Sequence, residues 1–209
     1  MKKGLFIVFE GIDGSGTSTQ AALLRDKLLR NGSHSITTTE PSDGPVGNLI
    51  RQAMKGRVQF CNEKSEFDQQ MAYLFAADRH DHLYNNVDGV LKFVKLGTHV
   101  ISTRYLFSSL AYHSHDEKSL EFVRDLNCKF PNPDIVIYLD NPVELSIERM
   151  ANRPHKDAYE NAEKLREVSK NYDRIFAEYH GALLKLDARI DPQSLHEKIY
   201  SRIRDLING

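Results

Sequence analysis

The 209-residue chain is poor in the residues and patterns that mark several protein classes. Its two cysteines, Cys61 and Cys128, form no Cys-x-x-Cys pair and have no histidines around them at zinc-site spacing. They are therefore expected to be the reduced thiols of a cytosolic protein. The net charge of −1 includes no excess of positive charge, which argues against general binding to nucleic acid or to an anionic membrane.

Long apolar runs are also missing from the sequence. The longest, residues 5–9 and 135–139, are the length of a β-strand and far shorter than a membrane span. Residues 1–4 leave no room for a signal peptide, so a cytoplasmic location is expected. No repeat or Pro/Gly-rich linker divides the chain, and we predict one domain over residues 1–209.

Short apolar or β-branched stretches alternate with helix-length stretches along the chain. The predicted strands are residues 5–9, 35–39, 100–101 (after His99), 135–139 and 182–186. Continuous apolar strands are typical of parallel sheets that helices cover on both faces. The pattern predicts a three-layer α/β fold with a five-stranded parallel sheet, in which ligands bind beyond the carboxyl ends of the strands.

Three of the predicted helices show their limits in the sequence. The first runs over residues 18–30, and the second covers 66–96 with a candidate break near Asn85. The last begins at Pro192, directly after Asp191, because aspartate caps helices and proline is tolerated in their first turn. These helices fall between or after the predicted strands, as the fold requires.

A glycine-rich loop follows the first strand. Its residues are Gly11, Ile12, Asp13, Gly14, Ser15, Gly16, Thr17, Ser18 and Thr19. The spacing matches the phosphate loop Gly-x-x-x-x-Gly-Lys-[Ser/Thr], in which backbone N–H groups converge on phosphate oxygens and the Ser/Thr hydroxyl reaches Mg²⁺. We therefore predict a phosphate site here, with Ser18 at the metal. The alternative is a glycine-rich turn that binds nothing.

Further motifs follow the loop in a fixed order. They are Thr39-Glu40-Pro41, Tyr-Leu-Phe-Ala-Ala-Asp-Arg at 73–79, Thr-Arg-Tyr and its continuation at 103–112, Pro-Asn-Pro-Asp at 131–134, and residues 149–160. With the loop, they resemble the bacterial thymidylate kinase family over nearly the whole chain. The resemblance implies phosphoryl transfer from ATP to dTMP with Mg²⁺, a helical lid at 149–160, and a homodimer formed through helices around 45–96.

The resemblance also assigns roles to single residues. Arg104 holds the acceptor phosphate, and Asp13 lies near the sugar 3′-hydroxyl or the transferring phosphoryl group. Phe75 stacks on the pyrimidine and Arg79, one helical turn later, donates to a base carbonyl. Tyr159 packs against the deoxyribose. The remaining residues expected at the acceptor are Glu40, Tyr105, Ser108 and Tyr112.

Taken without the resemblance, two of these assignments have simpler alternatives. Arg104 also fits a surface ion pair. Phe75 and Arg79 also fit core packing with a cation–π contact.

His80 and His82 face different sides of their helix, so we expect solvated side chains rather than a metal site.

Several positions depart from the family pattern. Thr17 replaces the loop lysine, Thr39 an arginine, Thr103 an aspartate that usually holds the metal, Ala158 a lid arginine, and His113 a glutamine. Because a hydroxyl is a poor ligand for Mg²⁺, carboxylates elsewhere are needed. Glu10, Asp13 and Glu40 are the candidates.

The missing positive charge also needs a source. Arg149, Arg153 and Lys156 crowd the expected lid. We predict that Arg153 acts over the donor phosphates as an arginine finger does, and that Arg149 contacts ATP. A solvated basic helix face is the alternative. Two other functions stay open: a kinase for another deoxynucleoside monophosphate, and a nucleotide-binding protein of this fold with weak or no catalysis.

Overall fold

The computed structural model describes residues 2–60, 63–151 and 161–209. Its strands are β1 (Phe6–Glu10), β2 (Ser35–Thr39), β3 (His99–Thr103), β4 (Ile135–Asp140) and β5 (Leu183–Asp187). They form one parallel sheet in the order β2-β3-β1-β4-β5. The predicted five-stranded parallel sheet is confirmed, and the predicted strand limits lie within two residues of the observed ones.

Helices connect the strands. In the described ranges they are α1 (Thr17–Arg30), α2 (Pro45–Met54), α3 (Lys64–Tyr84), α4 (Val90–Lys95), α5 (Leu106–Tyr112), α6 (Glu117–Asn127), α7 (Val143–Met150), α8 (Ala162–Ala177) and α9 (Pro192–Asn208). The expected helix over 66–96 is two helices, because Asn85 ends α3 and its side chain accepts the N–H groups of Val87 and Asp88. The capped start of α9 at Pro192 is confirmed.

The two faces of the sheet are covered by different helices. Ile7 and Phe9 point to one face, where α1 and α9 pack, whereas Val8 points to the other, where α5 and α8 pack. Both layers are apolar, which explains why the strands read as continuous apolar runs. No helix of the described ranges could cross a membrane. Cys128 is an exposed free thiol, and Cys61 lies outside the described residues.

The strand order brings two chain segments to one edge of the sheet. β1 is paired with β3, so the loop that follows Glu10 lies beside Arg104, the residue that follows β3. The Arg104 N–H donates to the carbonyl of Phe9 at 2.9 Å. This edge is the carboxyl end of the strands, where the fold class places its ligands.

Candidate active site

The loop after β1 has a backbone that needs glycine. Gly14 and Gly16 have φ of +81° and +96°, in the left-handed region. A Cβ on Gly14 would also come within 3.0 Å of the Ser146 carbonyl oxygen. Gly16 is the N-cap of α1, so the loop leads directly into this helix. The first N–H groups of α1 have no partner within the helix and are available to a ligand at the loop. The loop therefore has the geometry of an anion site.

A cavity of about 460 Å³ lies over this loop. Residues 13–19 line it, together with four residues from outside the loop: Thr39, Thr103, Arg104 and Arg149. Gly11 and Ile12 are buried behind the lining residues, and the carbonyl of Ile12 accepts the N–H of Ser15 at 3.1 Å. Seven of the nine predicted loop residues thus face one cavity, and the other two support it.

Positive charge at this cavity comes from two arginines in the described ranges. Arg149 lies in the last turn of α7, and its guanidinium donates to the carbonyls of Gly14 and Ala188 at 3.2 and 3.3 Å. Arg104 also lines this cavity. Thr39 Oγ1 donates to the Thr103 carbonyl at 3.2 Å, so this hydroxyl stays close to the backbone. The predicted lid residues Arg153, Lys156, Ala158 and Tyr159 lie outside the described residues.

Arg104 has an unusual backbone and a well-ordered set of contacts. Its φ of +75° is in the left-handed region, which is costly for a residue with a side chain. Its guanidinium donates to Asp13 Oδ1 at 2.7 Å and to Ser108 Oγ at 3.2 Å, and lies 5.1 Å from the ring centre of Tyr112. The side chain is only 18% exposed. Arg104 is therefore not a surface ion pair but part of the wall between two cavities.

The second cavity has a volume of about 190 Å³ and shares Asp13 and Arg104 with the first. Seven residues predicted at the acceptor line it: Glu40, Phe75, Arg79, Arg104, Tyr105, Ser108 and Tyr112. We call it the acceptor cavity. The structure thus brings together residues that are far apart in sequence, and their roles toward a ligand stay predictions.

Arg79 is more deeply buried than its predicted role requires. Its Nε donates to Glu40 Oε2 at 2.9 Å, and Nη2 donates to Ser109 Oγ at 2.9 Å. Nη1 donates to Asn127, and the guanidinium stacks 5.4 Å from the ring centre of Tyr105. The core-packing alternative is correct in this respect: protein groups hold most of the guanidinium, which nevertheless lines the acceptor cavity.

His113 and His82 are buried histidines at or near this cavity. Burial lowers the pKa of His113 to about 3, so its imidazole is neutral at physiological pH. Its ring centre lies 5.4 Å from that of Phe75. The prediction of solvated histidines is wrong for His82, which is 6% exposed because it packs against Glu40 and Thr38, whereas His80 is exposed as expected.

Of the three carboxylates predicted to substitute for the missing metal ligand, Asp13 lines the phosphate-loop cavity, whereas Glu10 and Glu40 do not. Glu10 is fully buried and accepts hydrogen bonds from Tyr105 N–H, Tyr172 OH and the N–H and hydroxyl of Ser108. It thereby anchors the start of α5. Burial raises the pKa of the Glu10 carboxyl to about 7, although Arg104 and these hydrogen bonds oppose the shift.

This shift predicts a pH-dependent stability. Between about pH 4.5 and 7, Glu10 holds a proton in the folded protein but releases it in the unfolded chain. The stability that depends on protonated Glu10 is therefore fully present below that range and is lost as pH rises to about 7. Glu10→Gln lacks this titration. The free energy of unfolding of the wild type minus that of the variant should fall between about pH 5 and 7 and then stay constant. Urea unfolding at each pH measures the free energy of unfolding of both proteins. A difference that stays constant over this pH range would contradict the raised pKa of Glu10.

Comparison with known proteins gives consistent matches. A sequence model of a protein family described as thymidylate kinase matches residues 9–199. The chain is 37% identical over 205 residues to a probable thymidylate kinase of Methanococcus aeolicus, covering 96% of each chain. It is 38% identical over 207 residues to a probable thymidylate kinase of Thermococcus kodakarensis, covering 97% of this chain and 98% of the relative. A putative thymidylate kinase of Treponema pallidum is 34% identical over 206 residues, covering 96% and 95%. These matches do not confirm the narrower label "bacterial".

Proposed function

Because the chain belongs to the thymidylate kinase family, we propose that it transfers the γ-phosphoryl group of ATP to dTMP, giving ADP and dTDP. The observation that supports this best is the pair of cavities that meet at Asp13 and Arg104. A phosphoryl transfer needs donor and acceptor phosphates in line, and two sites with a common cationic wall provide that arrangement.

The proposed mechanism relies on positioning and charge. N–H groups of the phosphate loop and of the first turn of α1 bind the donor phosphates, and Arg149 contributes positive charge beside Gly14. Arg104 binds the acceptor phosphate, since its guanidinium reaches both cavities. Phe75 and Arg79 bind the base. No general base is required, because the acceptor phosphate is itself an anion.

Magnesium is proposed at the phosphate-loop cavity. Mg²⁺ prefers oxygen ligands and dehydrates reluctantly, so one or two protein oxygens would suffice to hold it here. Ser18 offers an exposed hydroxyl at the start of α1, and the Asp13 carboxylate lines the same cavity. Bound Mg²⁺ would neutralise phosphate charge.

The segment at 149–160 is proposed as a lid within a single kinase domain over residues 1–209. Arg149 borders the phosphate-loop cavity from α7, and α8 begins at Ala162. The proposed lid therefore has its first residue, Arg149, at the donor site. We propose that Arg153 supplies there the charge that Thr17 lacks, and that Tyr159 packs on the deoxyribose.

A homodimer is proposed through the helices around residues 45–96. Leu49 on α2 and Tyr73 on α3 are 36% and 53% exposed, although both are large apolar side chains. We propose that both side chains become buried between the two subunits of the dimer. Sedimentation should give about twice the 23.9 kDa chain mass, and a monomer would contradict the proposal. The proposed location is cytoplasmic.

The first experiment is ADP formation by the purified protein with ATP and Mg²⁺, using dTMP, dUMP, dCMP and dGMP as separate acceptors. We expect dTMP to stimulate turnover well above the others, and EDTA to abolish it. Preference for another acceptor would indicate a different monophosphate kinase. Binding of ATP and dTMP without turnover would indicate a nucleotide-binding protein that has lost catalysis, and would contradict the proposed function.

A further inference from the structure

We infer that His82 is a positioning residue for the acceptor site, which it acts on through Glu40 and Arg79. The inference rests on the proposed function of the acceptor cavity. His82 does not line that cavity. It lies behind it, on the wall of a separate cavity of about 210 Å³ between β2, α3 and α4.

A continuous chain of hydrogen bonds connects His82 to the acceptor cavity. Thr38 Oγ1 and His82 Nε2 are 2.7 Å apart, and His82 Nδ1 lies 3.2 Å from Glu40 Oε1. The other oxygen, Glu40 Oε2, lies 2.9 Å from Nε and 2.7 Å from Nη2 of Arg79. The side chains of Glu40 and Arg79 are at most 2% exposed, so these contacts are shielded from bulk solvent.

The two oxygens of the Glu40 carboxylate have different partners, and this is the decisive feature. Both nitrogens of Arg79 contact the same oxygen, Oε2, while His82 holds Oε1. An arginine and a carboxylate left to themselves favour a two-oxygen fork, with one oxygen for each nitrogen. Since a carboxylate only accepts hydrogen bonds, a hydrogen bond between His82 and Oε1 requires the tautomer of His82 with its hydrogen on Nδ1. In the inference, this hydrogen bond keeps Oε1 away from Arg79.

The orientation of the Arg79 guanidinium follows from this division. With Oε1 held by His82, Arg79 keeps Nη2 on Ser109 and Nη1 on Asn127, and its plane lies over the Tyr105 ring. If Oε1 were released, the carboxylate could turn and draw the guanidinium into a symmetric fork. His82 thus fixes the edge that Arg79 presents to the base of dTMP.

Two substitutions of His82 separate its two nitrogens. His82→Asn places an amide N–H near the position of Nδ1, facing Glu40, whereas His82→Gln places its polar group near Nε2, facing Thr38. We expect His82→Gln to raise the KM and the Kd for dTMP about tenfold, with kcat reduced less than about threefold and the KM for ATP within about twofold. His82→Asn should keep the dTMP constants within about threefold of the wild type.

The control is His80→Gln, a substitution of an exposed histidine on the same helix, which should change none of these constants. Equal effects of Asn and Gln, or a parallel loss of kcat and of both KM values, would show a merely structural role and overturn the inference. Calorimetric Kd values for dTMP do not depend on turnover. They test the inference even if the wild type transfers no phosphoryl group, an outcome that would contradict the proposed function alone. A wild type that binds no dTMP would overturn both.

Discussion

Arg104→Ala is expected to lower kcat/KM for dTMP about 10³-fold, which corresponds to about 4 kcal/mol of transition-state stabilisation. The guanidinium borders both cavities and is held by Asp13, Ser108 and Tyr172, so its loss removes the one described cation that faces donor and acceptor together. The KM for ATP should change far less, because the loop N–H groups remain. Steady-state kinetics with each substrate varied gives both values.

Two comparisons make this result specific. Arg104→Lys keeps the charge but not the planar fork, and should fall between the wild type and the alanine variant. Arg124→Ala removes an exposed arginine that pairs with Glu178 and should leave turnover unchanged. If Arg104→Ala kept more than about a tenth of the wild-type kcat/KM, the acceptor phosphate would have to bind elsewhere.

The second large effect is expected at Arg153. If this residue supplies the charge that Thr17 lacks, Arg153→Ala should lower kcat about 10²- to 10³-fold, as the loss of a donor to developing charge typically does. Thr17→Lys in that background should restore at least about tenfold, because Thr17 lines the phosphate-loop cavity at the start of α1. Single-turnover kinetics at saturating ATP measures both.

Arg166→Ala is the matched control for Arg153. Arg166 is an exposed arginine on α8 that pairs with Glu144, so its loss should leave kcat unchanged. Turnover of Arg153→Ala within about threefold of the wild type would exclude Arg153 as the compensating cation. Arg149, which donates a hydrogen bond to the Gly14 carbonyl, would then be the candidate for the compensating cation.

The fold was predictable because its signals are local. Strand burial on both faces produces continuous apolar runs, and the ends of helices show in pairs such as Asp191-Pro192. The glycine loop was equally accessible, since its spacing and its place after a strand are both visible in the sequence. The limit of α3 at Asn85 was also visible.

The interior polar network was not predictable from the sequence. Glu10 looked like a metal ligand and His82 like a solvated residue, because a sequence does not show which carboxylate faces a cavity and which faces the core. Tyr172 and Asn127 contact Glu10 and Arg79 from distant helices, and no spacing connects them. Such contacts depend on tertiary packing, which local patterns do not encode.

The strand order also has a consequence for how the chain is made. β1 is synthesised first, yet it lies at the centre of the sheet, where Phe6 pairs with Val100 and Ile7 pairs with Ile135. A nascent chain therefore carries five residues that are buried in the finished fold, without a first neighbouring strand until β3 is made and without the second until β4 is made. Long-range parallel pairing of this kind is slow and leaves apolar surface exposed in the meantime. The middle strand of the sheet is thus the first of the five to be made and among the last to be covered.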